Sequence, residues 1–301
     1  MRRHNQFCGV LIAAGIAMIA CSAQAADNNF GNPAYTDELA GRKGAVDIVG
    51  IQLGMPIGEA IKALKAYDPK IQIAPATGVF ALKPDMKVTP LYKASESLTS
   101  DGDFDRSSNA ERFLILTTTA PSKPYVWAIV RWINYPDRAT SPLMANFTKD
   151  VIEKYGAPSN GADTNLTFSH RWYIGSNGEH YVPPKLLGCP SDIGILSNDK
   201  YTNKRTYSEM IQEGRLAYLA PGNHEAVTRV DNTPACNFDA RITINAGSDE
   251  QGRLETVTME AENYKLGWAG LESTRQVLLA EQNAKNEAER RKAGRQAGPK
   301  L

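Results

Sequence analysis

The sequence predicts an α+β fold in which helices cover one antiparallel sheet or two related helix-on-sheet units. Residues 47–67 (DIVGIQLGMPIGEAIKALKAY) join an extended stretch to apolar residues at helical spacing, which predicts a strand, a turn and an amphipathic helix. Residues 113–119 (FLILTTT) and 125–135 (YVWAIVRWINY) are rich in β-branched and aromatic side chains, which favours strands. Residues 238–245 and 254–261 alternate apolar and polar side chains, which predicts a hairpin with one wet face.

The first 25 residues have the pattern of a secretory leader. A basic start, MRRHNQF, is followed by an apolar run, GVLIAAGIAMIA, that is too short to span a bilayer. Ala23 and Ala25 form a small-x-small site for cleavage before Ala26, which predicts a periplasmic or secreted product. As an alternative, residues 18–21 (MIAC) resemble a lipoprotein box that would make Cys21 a lipid anchor. No later segment is apolar enough for the membrane, so no transmembrane helix is expected after leader removal.

The chain divides into the leader, residues 1–25, and four further regions. Residues 26–46 are polar and predict a flexible N-terminal arm. Residues 47–135 predict a first helix-on-sheet unit, and residues 136–266 predict a second unit that contains a disulfide. Residues 267–301 predict a C-terminal helix whose apolar side fades into a charged tail.

Local patterns refine the two units. In the first, residues 70–82 predict two short strands in a bent hairpin, and residues 83–112 predict a long loop because their apolar pattern fails. In the second, residues 143–155 predict a helix and residues 166–174 a strand. Residues 207–219 predict a short helix followed by a short strand.

Composition and motifs exclude several classes of function. The chain has 34 basic and 33 acidic residues, and leader removal takes away Arg2 and Arg3. A near-neutral balance gives no global attraction for nucleic acid, and an export signal argues further against it. The sequence contains no Gly-rich phosphate-binding loop and no Gly-x-Ser-x-Gly nucleophile motif, so neither nucleotide use nor serine hydrolysis is expected.

Cys189 and Cys236 are the cysteines that remain if the leader is removed. In an oxidising compartment two cysteines favour a disulfide over a metal site. The predicted bridge would tie the loop after Tyr181 to the start of the final hairpin.

Asp101, Asp103 and Asp105 repeat the Asp-x-Asp-x-Asp opening of a calcium loop. The later positions depart from that pattern, since Arg112 stands where a bidentate glutamate would close the site. We therefore expect at most weak, structural calcium binding and no other cofactor. The alternative is an acidic, solvated loop.

Trp127, Trp132, Trp172 and Tyr173 fall in predicted strands and could line an aromatic binding face for a carbohydrate or a peptide. Core packing explains the same four residues, because strands favour aromatic side chains without any ligand. Both interpretations remain open at the level of sequence.

Two segments resemble parts of a known family. Residues 50–66 (GIQLGMPIGEAIKALKA) resemble its Gly-Met-x-x-x-Glu helix start, and residues 146–159 (NFTKDVIEKYGAPS) resemble its helix-Tyr-Gly-x-Pro end. The family comprises the small helix-on-sheet domains typified by the SmpA/OmlA (BamE) lipoproteins and the tandem β-lactamase inhibitor fold. The resemblance implies a binding or scaffolding role in the bacterial envelope, with no catalytic residues.

The expected function is that of a non-catalytic binding or scaffolding protein in the bacterial envelope, whose partner is an envelope protein or a cell-wall component. One alternative is a periplasmic hydrolase that uses acids of the loop at residues 83–112 with His170 or His180. Another is a periplasmic inhibitor or chaperone that presents its sheet face. A basic end, with Arg290, Arg291 and Lys292, could meet anionic lipid or peptidoglycan, or could be a solvated helix end.

Overall fold

The computed structural model describes residues 31–42, 46–80, 83–105, 107–175, 178–181 and 239–295. The helices of this part are α1 (Pro33–Gly41), α2 (Ile57–Tyr67), α3 (Met144–Tyr155) and α4 (Tyr264–Arg295). The strands are β1 (Asp47–Ile48), β2 (Ile51–Gln52), β3 (Gln72–Phe80), β4 (Lys83–Ser95), β5 (Arg112–Thr117), β6 (Val126–Asn134), β7 (Asn160–Asp163), β8 (Thr167–Ile174), β9 (His180–Tyr181), β10 (Ala240–Ser248) and β11 (Leu254–Asn263).

One antiparallel sheet organises these elements. Eight strands follow the order β3-β4-β5-β6-β11-β10-β8-β7, and β9 pairs with β8. The short strands β1 and β2 form a separate hairpin. Helices pack on both faces of the sheet, so the predicted α+β class is confirmed.

The two halves of the sheet repeat one design, a helix followed by four antiparallel strands. The first half comprises α2 and β3 to β6, and the second comprises α3, β7, β8, β10 and β11. In the first half the amide of Ile57 donates to the carbonyl of Pro124 over 3.0 Å. At the same place in the second half Met144 donates to Gly252 over 2.8 Å. The residue before each helix also forms an isolated bridge to the start of the last strand region, so the correspondence is residue by residue.

Strand alternation gives the sheet two different apolar faces. The first, called the α2/α3 face, buries Phe113, Ile129 and Trp172 beneath α2, α3 and the β1–β2 hairpin. The second, called the α1/α4 face, buries Leu114 and Val130 beneath α1 and α4. Because β5 and β6 carry apolar residues on both faces, they lie inside the sheet.

Helix α1 corrects the prediction that residues 26–46 form a flexible arm. Asn32 caps this helix by accepting a hydrogen bond from the Ala34 amide over 3.0 Å, and Pro33 occupies the first helical position. Tyr35 and Leu39 are buried against the sheet. Its polar composition hid the helix, because only a few apolar side chains anchor its 9 residues, which make about two and a half turns.

Strands β3 and β4 correct the prediction of a broken hairpin followed by a long loop. Residues 72–80 form one strand, and the first 13 residues of the predicted loop form β4. The prolines suggested a break, but register shifts near Gly78 absorb the irregularity between the two strands. Val88 and Leu91 are then buried on the α1/α4 face. A similar departure occurs at residues 47–53, where Val49 and Gly50 adopt positive φ and turn the predicted single strand into the β1–β2 hairpin.

Several predictions fall outside the described residues. They are the disulfide between Cys189 and Cys236 and the short helix and strand within residues 207–219. Within the described residues, no helix has the length and apolar character needed to cross a membrane.

Small residues let α4 approach the sheet closely. A Cβ atom built on Gly267 would lie 2.6 Å from Cε3 of Trp127, and one on Gly270 would lie 2.6 Å from Cγ2 of Thr118. One turn later, Thr274 is fully buried and donates a hydrogen bond to the Ala120 carbonyl over 2.8 Å. One side of α4 therefore packs closely on its neighbours through both apolar contacts and hydroxyl groups.

Hydroxyl groups also join α4 to α1. Oγ of Ser122, in the β5–β6 turn, lies within hydrogen-bond distance of Oγ1 of Thr36, at 3.2 Å, and of Oγ of Ser273, at 3.3 Å. All three residues are buried. Nearby, the amino group of Lys123 donates to Asp37 over 2.9 Å and holds the pKa of that carboxyl below its usual range. The β5–β6 turn is thus the point at which both helices of the α1/α4 face are fastened.

Replacing Gly267 by alanine should destabilise the protein, because the added methyl group would meet the Trp127 ring inside the core. We expect a loss of about 1–3 kcal/mol in the free energy of unfolding. Gly294→Ala is the matched control, since nothing lies within 4 Å of its added Cβ. In the control, helix propensity predicts an unchanged or slightly higher stability, by up to about 1 kcal/mol. Chemical denaturation measures both, and equal stabilities of the two variants would contradict the close approach.

Candidate functional site

A continuous polar strip lies on the α1/α4 face of β8, β10 and β11. On this side of the three strands, every residue that is paired with a neighbouring strand is polar or glycine. The opposite side is apolar except for His170, which lies between Phe168 and Trp172. The members of the polar strip are Thr167, Ser169, Arg171, Tyr173, Arg241, Thr243, Asn245, Gly247, Thr256, Thr258, Glu260 and Glu262. They form four rows of three residues across the strands. Residues directly opposite one another in an antiparallel sheet lie about 5 Å apart, so the members of each row are neighbours.

The helices of this face make their apolar contacts with the other half of the sheet. The buried side chains of α1 and α4 pack with residues of β4, β5 and β6. The corresponding positions of β8, β10 and β11 carry groups that need hydrogen bonds or charge partners instead of apolar contacts. The two halves therefore share a backbone design but differ in the chemistry of this one face.

One end of the strip is buried and ionic. Arg241 is 8% exposed and Glu262 is fully buried. Nη2 of Arg241 lies 3.1 Å from a carboxylate oxygen of Glu262 and 3.9 Å from one of Glu260. The guanidinium group lies between two carboxylates, so each buried charge has an opposite charge nearby. The opposite charges lower the cost of burying these groups.

The ionic end continues to the start of β10. Asp239 lies 2.5 Å from the amino group of Lys265, the second residue of α4, and 4.0 Å from the guanidinium of Arg42. Asp239 and Arg42 also line a cleft with the apolar side chains of Leu39 and Leu53. Charged groups therefore connect the polar strip to both α1 and α4.

The opposite end of the strip is open. Ser169, Arg171, Asn245 and Thr256 are exposed. Oγ of Ser169 donates to Oδ1 of Asn245 over 2.7 Å, so these two side chains hold each other in place. The guanidinium of Arg171 and the amide of Asn245 can donate hydrogen bonds, and the threonine hydroxyls can donate or accept. Such a surface can recognise a polar partner through directed hydrogen bonds and one positive charge.

The predicted aromatic binding face is divided between the two sides of the sheet. Trp127 and Trp132 pack on the α1/α4 face, whereas Trp172 lies in the core of the α2/α3 face. Tyr173 belongs to the buried end of the polar strip. Trp132 is half-buried, while the other three are 3% exposed or less. The four residues therefore share no surface, and core packing accounts for their presence in strands.

The predicted calcium ligands lie on the connection between β4 and β5. Oδ1 of Asp103 accepts hydrogen bonds over 2.8 Å from Nζ of Lys93 and from the amide of Phe104. Asp105 accepts from Ser107 at 2.6 Å, and this hydrogen bond lowers the pKa of the Asp105 carboxyl. Asp101 is exposed near the tip of the turn. Among the residues that the structure describes, no group of three or more His, Cys, Asp or Glu side chains could hold a metal ion, so calcium binding stays a prediction from sequence.

The hydrolase interpretation required these acids to meet a histidine. His170 lies on β8, with Nε2 2.7 Å from Oδ1 of Asp163, and β5, β6, β11 and β10 separate it from the acidic connection in the sheet. Four strand spacings correspond to roughly 19 Å. His180 lies on β9, beside Gly156. The acidic loop and His170 therefore do not form one site.

A second charged cluster lies on the α2/α3 face. Arg131 pairs with Glu111, and Nη2 of Arg131 donates to the Tyr67 hydroxyl over 2.7 Å. The Tyr67 hydroxyl donates to Glu111 over 3.0 Å, and the Arg131 guanidinium lies 5.4 Å from the Tyr67 ring centroid. Burial raises the pKa of the Tyr67 hydroxyl above its ordinary value. The cluster is a closed set of partners that fastens the end of α2 to β5 and β6.

Sequence reasoning identified the alternation of β10 and β11 but not the strip. The pattern ARITIN and TVTMEAEN shows one polar side on each strand, which indicated a wet face. What it could not show is that β8, from an earlier segment, adds Thr167, Ser169, Arg171 and Tyr173 to that face. Nor could it show that Arg241 and Glu262 are buried.

The fold and the strip define an α+β protein with a repeated helix-and-four-strand design and a polar strip on half of one sheet face. No protein-family model, curated protein or solved structure matches this chain.

Replacing Arg241 by methionine should destabilise the protein strongly, because the carboxylate of Glu262 would stay buried without this counter-charge. We expect a loss of about 3–5 kcal/mol in the free energy of unfolding. Arg171→Met is the matched control, since Arg171 belongs to the same strip but is exposed. That change should alter stability by no more than about 0.5 kcal/mol. Urea denaturation compares the two, and similar losses would show that the buried pair has no special role.

Proposed function

We propose that this chain is an exported, non-catalytic binding protein of the bacterial envelope, and that the open end of the polar strip contacts its partner. The observation that carries the proposal is the strip itself, whose exposed Ser169, Arg171, Asn245 and Thr256 present hydrogen-bonding groups on neighbouring strands. The partner is an envelope protein or a cell-wall component that offers polar groups to this surface.

Rigidity supports a binding role for the strip. Its side chains stand on three paired strands, and sites on strands are held more accurately than sites on loops. At the buried end of the strip, the pair of Arg241 and Glu262 links β10 to β11. At the open end, the hydrogen bond from Ser169 to Asn245 orients two exposed side chains. A partner would therefore meet a surface that loses little conformational freedom on binding.

The exported location rests on the first 25 residues, whose basic start, short apolar run and Ala23-Gln24-Ala25 site are typical of a secretory leader. The repeated helix-on-sheet design agrees with the resemblance of residues 50–66 and 146–159 to binding and scaffolding proteins of the envelope. A fold alone does not define a function, so the argument depends on the strip.

Photo-crosslinking in the producing cell tests the binding surface. A photoreactive amino acid at Asn245 or at Arg171 should give a defined crosslinked product, because both side chains lie in the open end of the strip. Lys149 and Glu153 on α3 serve as matched exposed controls, since α3 lies on the opposite face. Products of equal yield from α3 and from the strip, or no product from the strip, would contradict the assignment.

Export is tested by the mass of the mature N-terminus. The Ala23-Gln24-Ala25 site predicts a chain that begins at Ala26 and carries no lipid. The mass of the protein purified from the cell envelope should match this start. A diacylated N-terminal Cys21 would assign the lipoprotein alternative, and an intact Met1 start in the cytoplasm would refute export.

A further inference from the structure

The C-terminal half of α4 extends away from the body of the protein. Residues 283–294 are all exposed, in contrast to Leu278, which is fully buried one to two turns earlier. Twelve helical residues correspond to about 18 Å. Alanine is the most apolar residue in this segment, so it offers no stripe that could enter an apolar groove or a hydrocarbon layer.

Charge is concentrated at the end of this segment. Four of the six residues from 290 to 295 are basic and none is acidic. Arg290, Arg291 and Lys292 are consecutive, so their side chains leave the helix about 100° apart and surround it. All three are exposed, and Arg291 also lies 3.5 Å from Glu287.

The rest of the chain has the opposite sign. Residues 26–289 contain 27 basic and 33 acidic residues, whereas residues 290–301 contain five basic and none acidic. An anionic surface would therefore attract the tip of α4 and repel the body. The projection of α4 separates the two by a distance longer than the Debye length of about 8 Å at physiological salt.

We propose that the basic tip of α4, formed by Arg290, Arg291 and Lys292, docks the protein on the surface of an anionic phospholipid bilayer. This inference rests on the proposed export, which places the chain beside a membrane. The contact is electrostatic and involves no insertion, because the segment has no large apolar residue. Cations on all sides of a helix end suit an end-on approach to a plane of phosphate groups. The polar strip then remains available for its own partner.

Vesicle sedimentation with the purified mature protein tests the proposal. The protein should bind vesicles that contain phosphatidylglycerol, should not bind pure phosphatidylcholine vesicles, and should be released by high salt. The variant R290Q/R291Q/K292Q should bind the anionic vesicles on the order of 100-fold more weakly, because each basic residue near such a surface contributes about a factor of five. A chain ending at Ala280 should lose the binding while its melting temperature stays unchanged, since Leu278 is retained.

Two controls make the result specific. R290K/R291K keeps the charge and should bind like the parent, whereas E287Q/E289Q removes two acids from the same segment and should bind more tightly. Equal binding of the parent and the R290Q/R291Q/K292Q variant would overturn the proposal. So would binding of soluble inorganic polyphosphate that prevents vesicle binding at equal phosphate concentration, which would assign the tip to soluble polyanions. The assay needs neither export nor the strip, so its failure leaves the Asn245 crosslinks and the mature N-terminus as separate results.

Discussion

The pairing of β6 with β11 holds this fold together. Seven residue pairs join the two halves, and Arg131 opposite Met259 is the central pair. All residues from 126 to 130 are buried, so β6 carries apolar side chains on both faces and cannot serve as an exposed edge. Pairing it with the equivalent strand of the other half removes both edges at once. The antiparallel geometry of this pairing also relates the two helix-and-four-strand halves by a local two-fold rotation.

Joining the two halves gives a sheet of eight strands whose two faces are covered differently by helices. On the α2/α3 face the repeated helices lie over both halves, and the core there is continuous from Phe113 to Trp172. On the α1/α4 face, helices without a repeated counterpart pack on the first half through Leu39, Trp127 and Leu266. The polar strip is the consequence of this asymmetry. A surface for binding could form on one half without weakening the apolar contacts that stabilise the other.

The sequence was sufficient for elements whose pattern is local. The apolar periods of α2 and α3, the strong strand character of β5 and β6, and the alternation of β10 and β11 each lie within one continuous segment. It was insufficient where stability comes from distant partners. Strand β4 contains Pro84 and Pro90 and is held by its neighbours β3 and β5, and α1 depends on contacts with α4 more than 200 residues away.

The candidate site could not be predicted from the sequence either, but for a different reason. Alternation marks which residues of a strand share a side, but the strip needs the order of β8, β10 and β11 in the sheet, and β8 is separated from β10 by a long segment. Burial was equally hidden, since Arg171 and Arg241 have the same residue type and opposite environments. Conversely, the aspartates at 101, 103 and 105 alternate within five residues, yet two of them accept local hydrogen bonds, Asp103 from Lys93 and Asp105 from Ser107.

The buried ionic end of the strip has a further physical consequence for the sheet. A one-residue slip of β10 would turn Ile242 and Ile244 onto the α1/α4 face and would place Arg241 in the apolar core beside Trp172. Arg241 would then lose Glu262, and a charge without a partner in an apolar core is among the costliest arrangements in a protein. The pair therefore selects one register for three strands. Because that register also sets the positions of Ser169, Arg171 and Asn245, the buried charges determine the geometry of the surface that we propose for binding.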